Sequence, residues 1–174
     1  MNSMDVILVD SNDEQIGVME KMEAHEKGVL HRAFSIFIFN SDGKMLLQQR
    51  AFGKYHSGGL WTNACCSHPM PGEDINQAAR RRLQEEMGFV TTMEKAFTFT
   101  YSAVFDNGLT ENEFDHVFIG SYSGEILPAS EEVEAYTFKG VNEIIEELAL
   151  KPADYTIWFK IAFPRVLEYG VNFN

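Results

Sequence analysis

Cysteine is scarce: there are two, Cys65 and Cys66, side by side in 174 residues. Neighbours in an extended backbone point to opposite faces, so a bond between them would be strained, and no disulfide framework can be drawn. Positive charge is also short. Against 26 Asp and Glu stand 14 Lys and Arg, a net charge of −12. That balance speaks against a nucleic-acid binder, which needs a basic face. It leaves room for an anionic small molecule, because a few local cations and a metal can reverse the potential of one cleft. No apolar run reaches the length of a membrane span. The opening MNSMDVILVD has neither a basic n-region nor a long apolar h-region, so no signal peptide is expected and the cytoplasm is the expected location. There is no internal repeat and no low-complexity tract.

What is present is a globular composition, 45% hydrophobic and 23% charged, and a length that suits one domain. Residues 5–10 and 16–20 read as two short strands around the polar turn SNDEQ, an N-terminal hairpin within an extension of residues 1–30. Residues 31–174 then form the core. Ala33 to Phe39 is β-branched and aromatic, hence a strand; NSDG turns the chain, and KMLLQQR returns. Residues 51–60 are a glycine-rich loop bearing Lys54. Further strands are expected at 95–105, 111–123 and 135–139, a helix at 141–150, and a last helix at 153–169 broken or bent at Pro164. Strands and helices mix without βαβ regularity, which argues for α+β.

The most informative stretch is WTNACCSHPMPGEDINQAARRRLQEEMGF, residues 61–89. It reads as strand, tight loop, helix. Cys66 and His68 are two apart in the strand end and share a face. Asp74 is a natural N-cap with Gln77 three residues on, Ile75, Ala79, Leu83 and Met87 make an apolar stripe, and Gly88 is a natural stop. Elsewhere, Glu111 and Glu113 are also two apart in an expected strand and face together. A lone histidine is more often a surface or core residue, and a Glu-x-Glu is more often one solvated strand face. A free cysteine is commonly a small buried apolar residue. The run Arg80 to Arg82 pairs naturally with Glu85 and Glu86 along one helix side.

The stretch resembles a degenerate Nudix box, the loop–helix signature that opens on Gly and ends R-E-U-x-E-E-x-G-U, with U apolar. Glu73, Arg81, Glu85, Glu86, Gly88 and Phe89 match it. Ser67 stands in place of the opening Gly, and Arg82 in place of a glutamate that helps Nudix hydrolases hold metal against a pyrophosphate. With TNACCSHP in front, AHEKGVLHRAFS upstream and ENE downstream, the chain is similar, from about His25 to Trp158, to the type 1 isopentenyl-diphosphate isomerases, a Nudix-fold family.

The resemblance implies an α/β/α sandwich on a mixed sheet and an enzyme that interconverts isopentenyl and dimethylallyl diphosphate. It implies one divalent ion, Mn²⁺, Zn²⁺ or Mg²⁺, held by His25, His31, His68, Glu111 and Glu113. It implies a second, Mg²⁺, shared between Glu86 and the substrate diphosphate, with Arg50, Lys54 and Arg82 as direct cations. Cys66 and Glu113 are the implied acid–base pair, Tyr101 assists Glu113, and Trp158 shelters a carbocation. Trp61 is expected to help wall the pocket. His56 and His116 match no position with a role and are read as ordinary residues. Two rivals remain: a Nudix hydrolase acting on a nucleoside diphosphate derivative, against which Arg82 speaks, and a binding module, which needs no thiol beside a metal-site histidine.

Overall fold

The computed structural model describes residues 4–170. Strand β3 (His31–Phe39) is the spine of a mixed sheet. It runs parallel to β8 (Thr110–Ser121), with His31 opposite Glu113 and Phe39 opposite Ser121. On its other side it pairs antiparallel with the short β6 (Cys65–Ser67), which sets Ser35 opposite Cys66. Strand β7 (Met93–Val104) borders β8, with Tyr101 opposite Glu113. Strands β4 (Met45–Arg50), β5 (Trp61–Thr62) and β9 (Val133–Lys139) extend the sheet, and the hairpin β1 (Asp5–Val9) and β2 (Gln15–Glu20) joins it where Leu8 meets His31.

Two cores lie on the two faces of this sheet, as period-two alternation demands. Phe34, Ile36, Ile38 and Phe118 point toward α2 (Ile75–Met87), whose Ala79, Leu83 and Met87 meet them. Phe37, Val117 and Ile119 point the other way, toward α3 (Val141–Leu150) and α4 (Ile157–Gly170). Helix, sheet, helix is the expected sandwich. The same alternation places His31, Ser35, Glu113 and Asp115 on the α4 face, so the polar residues of β3 and β8 gather at one end of that core.

The ends of α2 follow their sequence signals. Asp74 accepts from the backbone N–H of Asn76 and Gln77. Gly88 closes the helix at φ 77°, and a Cβ there would lie 2.4 Å from the Leu127 carbonyl oxygen. Gly88→Ala therefore combines a left-handed backbone with a backbone clash, and is expected to cost about 2–4 kcal/mol, read as a fall in the denaturation midpoint.

Some boundaries differ from those read in the sequence. Strand β3 begins at His31, two residues early, because its first pairings are with Leu8 and Glu113 rather than with its chain neighbours. Lys21–Lys27 is a regular helix, α1, N-capped by Glu20 and closed by Gly28 at φ 63°. The last helix starts at Ile157, not Ala153. Pro152–Asp154 is a 3₁₀ turn, and Tyr155 and Thr156 bridge to Trp61 before α4 begins. Pro164 does not break α4.

Candidate active site

Five side chains converge from four elements. His25 comes from α1, His31 from β3, His68 from just beyond β6, and Glu111 and Glu113 from one face of β8. One ligand atom from each lies within 4.8 Å of all the others, and all five residues are buried. The Nδ1–H groups of His25 and His31 donate to the Lys21 and Val29 carbonyls, at 2.6 and 2.8 Å. This choice of tautomer leaves the Nε2 lone pairs facing inward, where they meet only carboxylate oxygens. His25 Nε2 is 3.1 Å from Glu111 Oε1, and His31 Nε2 is 3.6 Å from Glu113 Oε1. Lone pair against anion is repulsive unless a cation lies between them. His31 Nε2 and Glu111 Oε2 are buried with no hydrogen-bond partner, which is what a metal donor looks like before its ion is added.

The electrostatics of His68 agree with that reading. Burial pushes His68 down to about 4, so its imidazole is neutral at pH 7 and able to coordinate. Burial would raise Glu113, but the imidazoles of His31 and His68 beside it hold it well below the usual carboxylate range. Imidazole and carboxylate together suit a divalent transition ion or Mg²⁺. Because ion binding is linked to folding, Mn²⁺ at 100 times its Kd should stabilise the protein by about 2.7 kcal/mol. A rise in melting temperature that EDTA reverses checks this.

Cys66 sits beside this ring, in the same cavity as His68, Tyr101, Glu111, Glu113 and Trp158. Its thiol donates to Asn63 Oδ1 at 3.2 Å and accepts from the Trp158 indole N–H at 3.1 Å. Asn63 is itself fixed, its amide donating to the Ile36 and Cys65 carbonyls at 3.0 Å each. The TN of the TNACCSHP run thus fixes the thiol's orientation. Behind the thiol, Ser35 Oγ lies 3.6 Å from the sulfur and donates to Asp115 at 2.7 Å. Burial and the nearby Asp115 push the thiol up to about 12. Cys65 points into the opposite core, fully buried, as a small apolar residue. Tyr101 donates to Glu113 Oε2 at 2.9 Å.

A second, adjoining cavity is lined by Lys21, Arg50, Lys54 and Arg82, together with Glu86, Glu132, Cys66 and His68. The Arg82 guanidinium is held in place by four partners: Ser67 Oγ at 3.0 Å, Glu85 at 2.6 Å, Glu86 at 2.6 Å and Glu132 at 3.2 Å. Lys54 pairs with Glu132. Arg50 lies over the Trp158 ring at 5.2 Å, and its Nε is buried without a partner. Lys21, which sequence reading passed over, is pushed down to about 8 by burial and by the neighbouring Lys54. It lies one helical turn before His25, and that spacing is the signal that could have found it. Glu86 is apart from the five-residue ring. Glu85 pairs with Arg81, as expected, and also with Arg82.

Trp61 does not line the cavity that holds Cys66; it packs in the α4-side core, with Lys139 over its ring at 5.8 Å. His56, read from the sequence as an ordinary residue, has a place at the ring. It is buried, and its Nε2 lies 2.5 Å from Glu111 Oε1. His116 lies 2.8 Å from Asp13 and outside the ring.

Residues 29–159 match the NUDIX domain family. Over 170 residues, 98% of this chain and 95% of the relative, the chain is 50% identical to an isopentenyl-diphosphate Delta-isomerase of Pectobacterium atrosepticum. The chain belongs to the isopentenyl-diphosphate Delta-isomerase family. A Serratia proteamaculans member of the family is 49% identical over 88% of this chain and 86% of its own. Solved structures show the same fold at low identity. The Deinococcus radiodurans protein DR0079 superposes with a TM-score of 0.70 at 15% identity, over 84% of this chain and 90% of that one. The MutT protein of Methanosarcina mazei superposes with a TM-score of 0.68 at 17% identity, over 82% and 96%. Within this Delta-isomerase family member, Arg82 stands in the Nudix helix where the general box has a glutamate, and it lies in the cation-lined cavity rather than in the ring.

Proposed function

We infer that the chain is a divalent-metal-dependent isomerase that interconverts isopentenyl diphosphate and dimethylallyl diphosphate in isoprenoid biosynthesis. The observation that carries this reading is a thiol and a tyrosine-bonded carboxylate facing one cavity, with a cluster of cations in the cavity beside it.

The reaction moves a double bond by one carbon. A proton is added to the terminal alkene carbon, positive charge develops at the tertiary carbon, and a proton leaves the carbon next to the one bearing oxygen. Cys66 and Glu113 are the pair that gives and takes these protons, exchanging roles with the direction of reaction. Tyr101, bonded to Glu113, passes or stabilises the proton there. Trp158 lays its indole against the cavity and shelters the cation. Arg50, Lys54, Arg82 and Lys21 bind the diphosphate, the arginines through their planar forks.

His25, His31, His68, Glu111 and Glu113 would hold a divalent ion, Mn²⁺, Zn²⁺ or Mg²⁺, which would supply positive charge beside Glu113 and strengthen it as an acid. Glu86 would hold a second ion, Mg²⁺, which would supply charge neutralisation for the diphosphate. The chain works as one domain in the cytoplasm. No helix among the described residues is long and apolar enough to cross a membrane.

A hydrolase reading is weaker, because Arg82 places a cation where hydrolase chemistry wants a carboxylate. Incubation of the metal-loaded protein with isopentenyl diphosphate, and separately with a panel of nucleoside diphosphate derivatives, separates the two. Conversion to dimethylallyl diphosphate without phosphate release from the panel is expected. Phosphate release without isomerisation would sink this reading.

A further inference from the structure

His56 belongs to the glycine-rich loop 51–60, and no motif marks it. The loop is held in an unusual shape to deliver it. Ser57, the next residue, adopts a left-handed φ of 52° without being glycine, and a Cβ on Gly58 would lie 2.6 Å from the Phe52 carbonyl oxygen. Non-glycine residues keep such a backbone only where their surroundings enforce it. Here Arg50 donates to the His56 carbonyl at 3.2 Å, and Asn107 donates to the Tyr55 carbonyl at 2.8 Å. The imidazole is enclosed by rings: Phe105 stacks on it at 4.4 Å and 7°, and Tyr55 and Trp158 meet it edge-on at 4.4 and 5.8 Å.

The polar atoms of the ring are used at both ends. Ser57 Oγ is 3.1 Å from Nδ1, and Glu111 Oε1 is 2.5 Å from Nε2. A carboxylate can only accept, so Nε2 carries the hydrogen, and Nδ1 takes the hydrogen of the Ser57 hydroxyl. His56 therefore engages one oxygen of Glu111. The other, Oε2, is buried with no hydrogen-bond partner and lies 3.8 Å from His31 Nε2. His56 is outside the five residues whose donor atoms lie mutually within 4.8 Å.

We propose that His56 is a positioning residue of the metal cage: by occupying Glu111 Oε1, it fixes the carboxylate so that Oε2 is presented to the ion. The aromatic enclosure holds the imidazole in place and keeps water from replacing it. Such partners of a ligand are commonly worth 10–100-fold in metal affinity. This inference rests on the metal-cage reading above.

The test measures Mn²⁺ affinity by competition with a chelator, on the full-length metal-free protein, with no reference to activity. Three variants divide the possibilities. His56→Phe keeps an aromatic ring against Phe105 and removes the donor. His56→Gln keeps a donor near the position of Nε2. His56→Ala removes both. The Phe and Ala variants are expected to raise the Mn²⁺ Kd by about 10–100-fold, and the Gln variant by about threefold or less. Stoichiometry should stay at one ion in this site, and the visible spectrum of the Co²⁺-loaded protein should change in Phe but not in Gln. If Ala fails to fold, Phe against Gln still decides. Wild-type affinity in His56→Phe would overturn the proposal while leaving the cage standing. A Gln variant as weak as Phe would also overturn it. No Mn²⁺ binding by the wild type would remove the cage and the proposal together.

Discussion

Cys66→Ala should lower the isomerisation rate by about 10³–10⁴-fold while leaving Mn²⁺ affinity nearly unchanged, since loss of a positioned acid or base is worth about 10²–10⁴ in rate. The sulfur touches Asn63, Trp158 and Ser35 but none of the ring atoms directly within hydrogen-bond reach. On the role proposed for Cys66, the substitution therefore removes a proton site without removing a ligand. Cys66→Ser is a sharper version. It keeps the hydrogen bonds of Asn63 and Trp158, yet an alcohol is a far weaker acid than a thiol, so activity should remain close to that of the alanine variant. Single-turnover rates, with Mn²⁺ binding measured in parallel, check both. Wild-type rates in either variant would remove Cys66 from the chemistry.

Glu113→Gln should be at least as damaging, but with a different signature. Glu113 receives Tyr101 on one oxygen and lies against His31 and His68 on the other. On the roles proposed for Glu113, replacing it by an amide deletes a proton site and weakens a metal donor in one step. The isomerisation rate should fall by about 10⁴-fold or more, and the Mn²⁺ Kd should rise by about 10-fold or more. Tyr101→Phe separates the two effects. It removes only the hydroxyl that bonds Glu113, so it should cost about 10–100-fold in rate with metal affinity retained. An equal loss of metal in both variants would place Tyr101 in the cage rather than in proton transfer.

The parts of this site that were readable in advance are those encoded by local spacing. Glu111 and Glu113 share a face because strands alternate, and Cys65 and Cys66 part company for the same reason. Asp74 and Gly88 mark the ends of α2 because caps are local chemistry. The five-residue ring was not encoded that way. It needs α1, β3, β8 and the chain beyond β6 brought to one point, and only the likeness to the isomerase family named its members. His56 escaped because its partner, Glu111, is far along the chain and its loop has no regular period. Asp115 and Ser35 escaped for a related reason. In sequence they are ordinary strand residues, and only the parallel pairing of β3 with β8 makes them neighbours behind the thiol. Trp61 shows the converse: an aromatic face suits a pocket wall, whereas its strand turns the ring into the α4-side core.

The proposed isomerase chemistry is proton exchange between enzyme and substrate within the cavity that holds Cys66 and Glu113. The most direct measurement is proton and deuterium NMR of isopentenyl diphosphate incubated in D₂O with the protein, Mg²⁺ and a trace of Mn²⁺. Dimethylallyl diphosphate carrying solvent deuterium in a methyl group is expected, formed by the wild type and lost in Cys66→Ala. Unchanged isopentenyl diphosphate from well-folded, metal-loaded wild type would contradict that chemistry, as would isomerisation without any deuterium from the solvent.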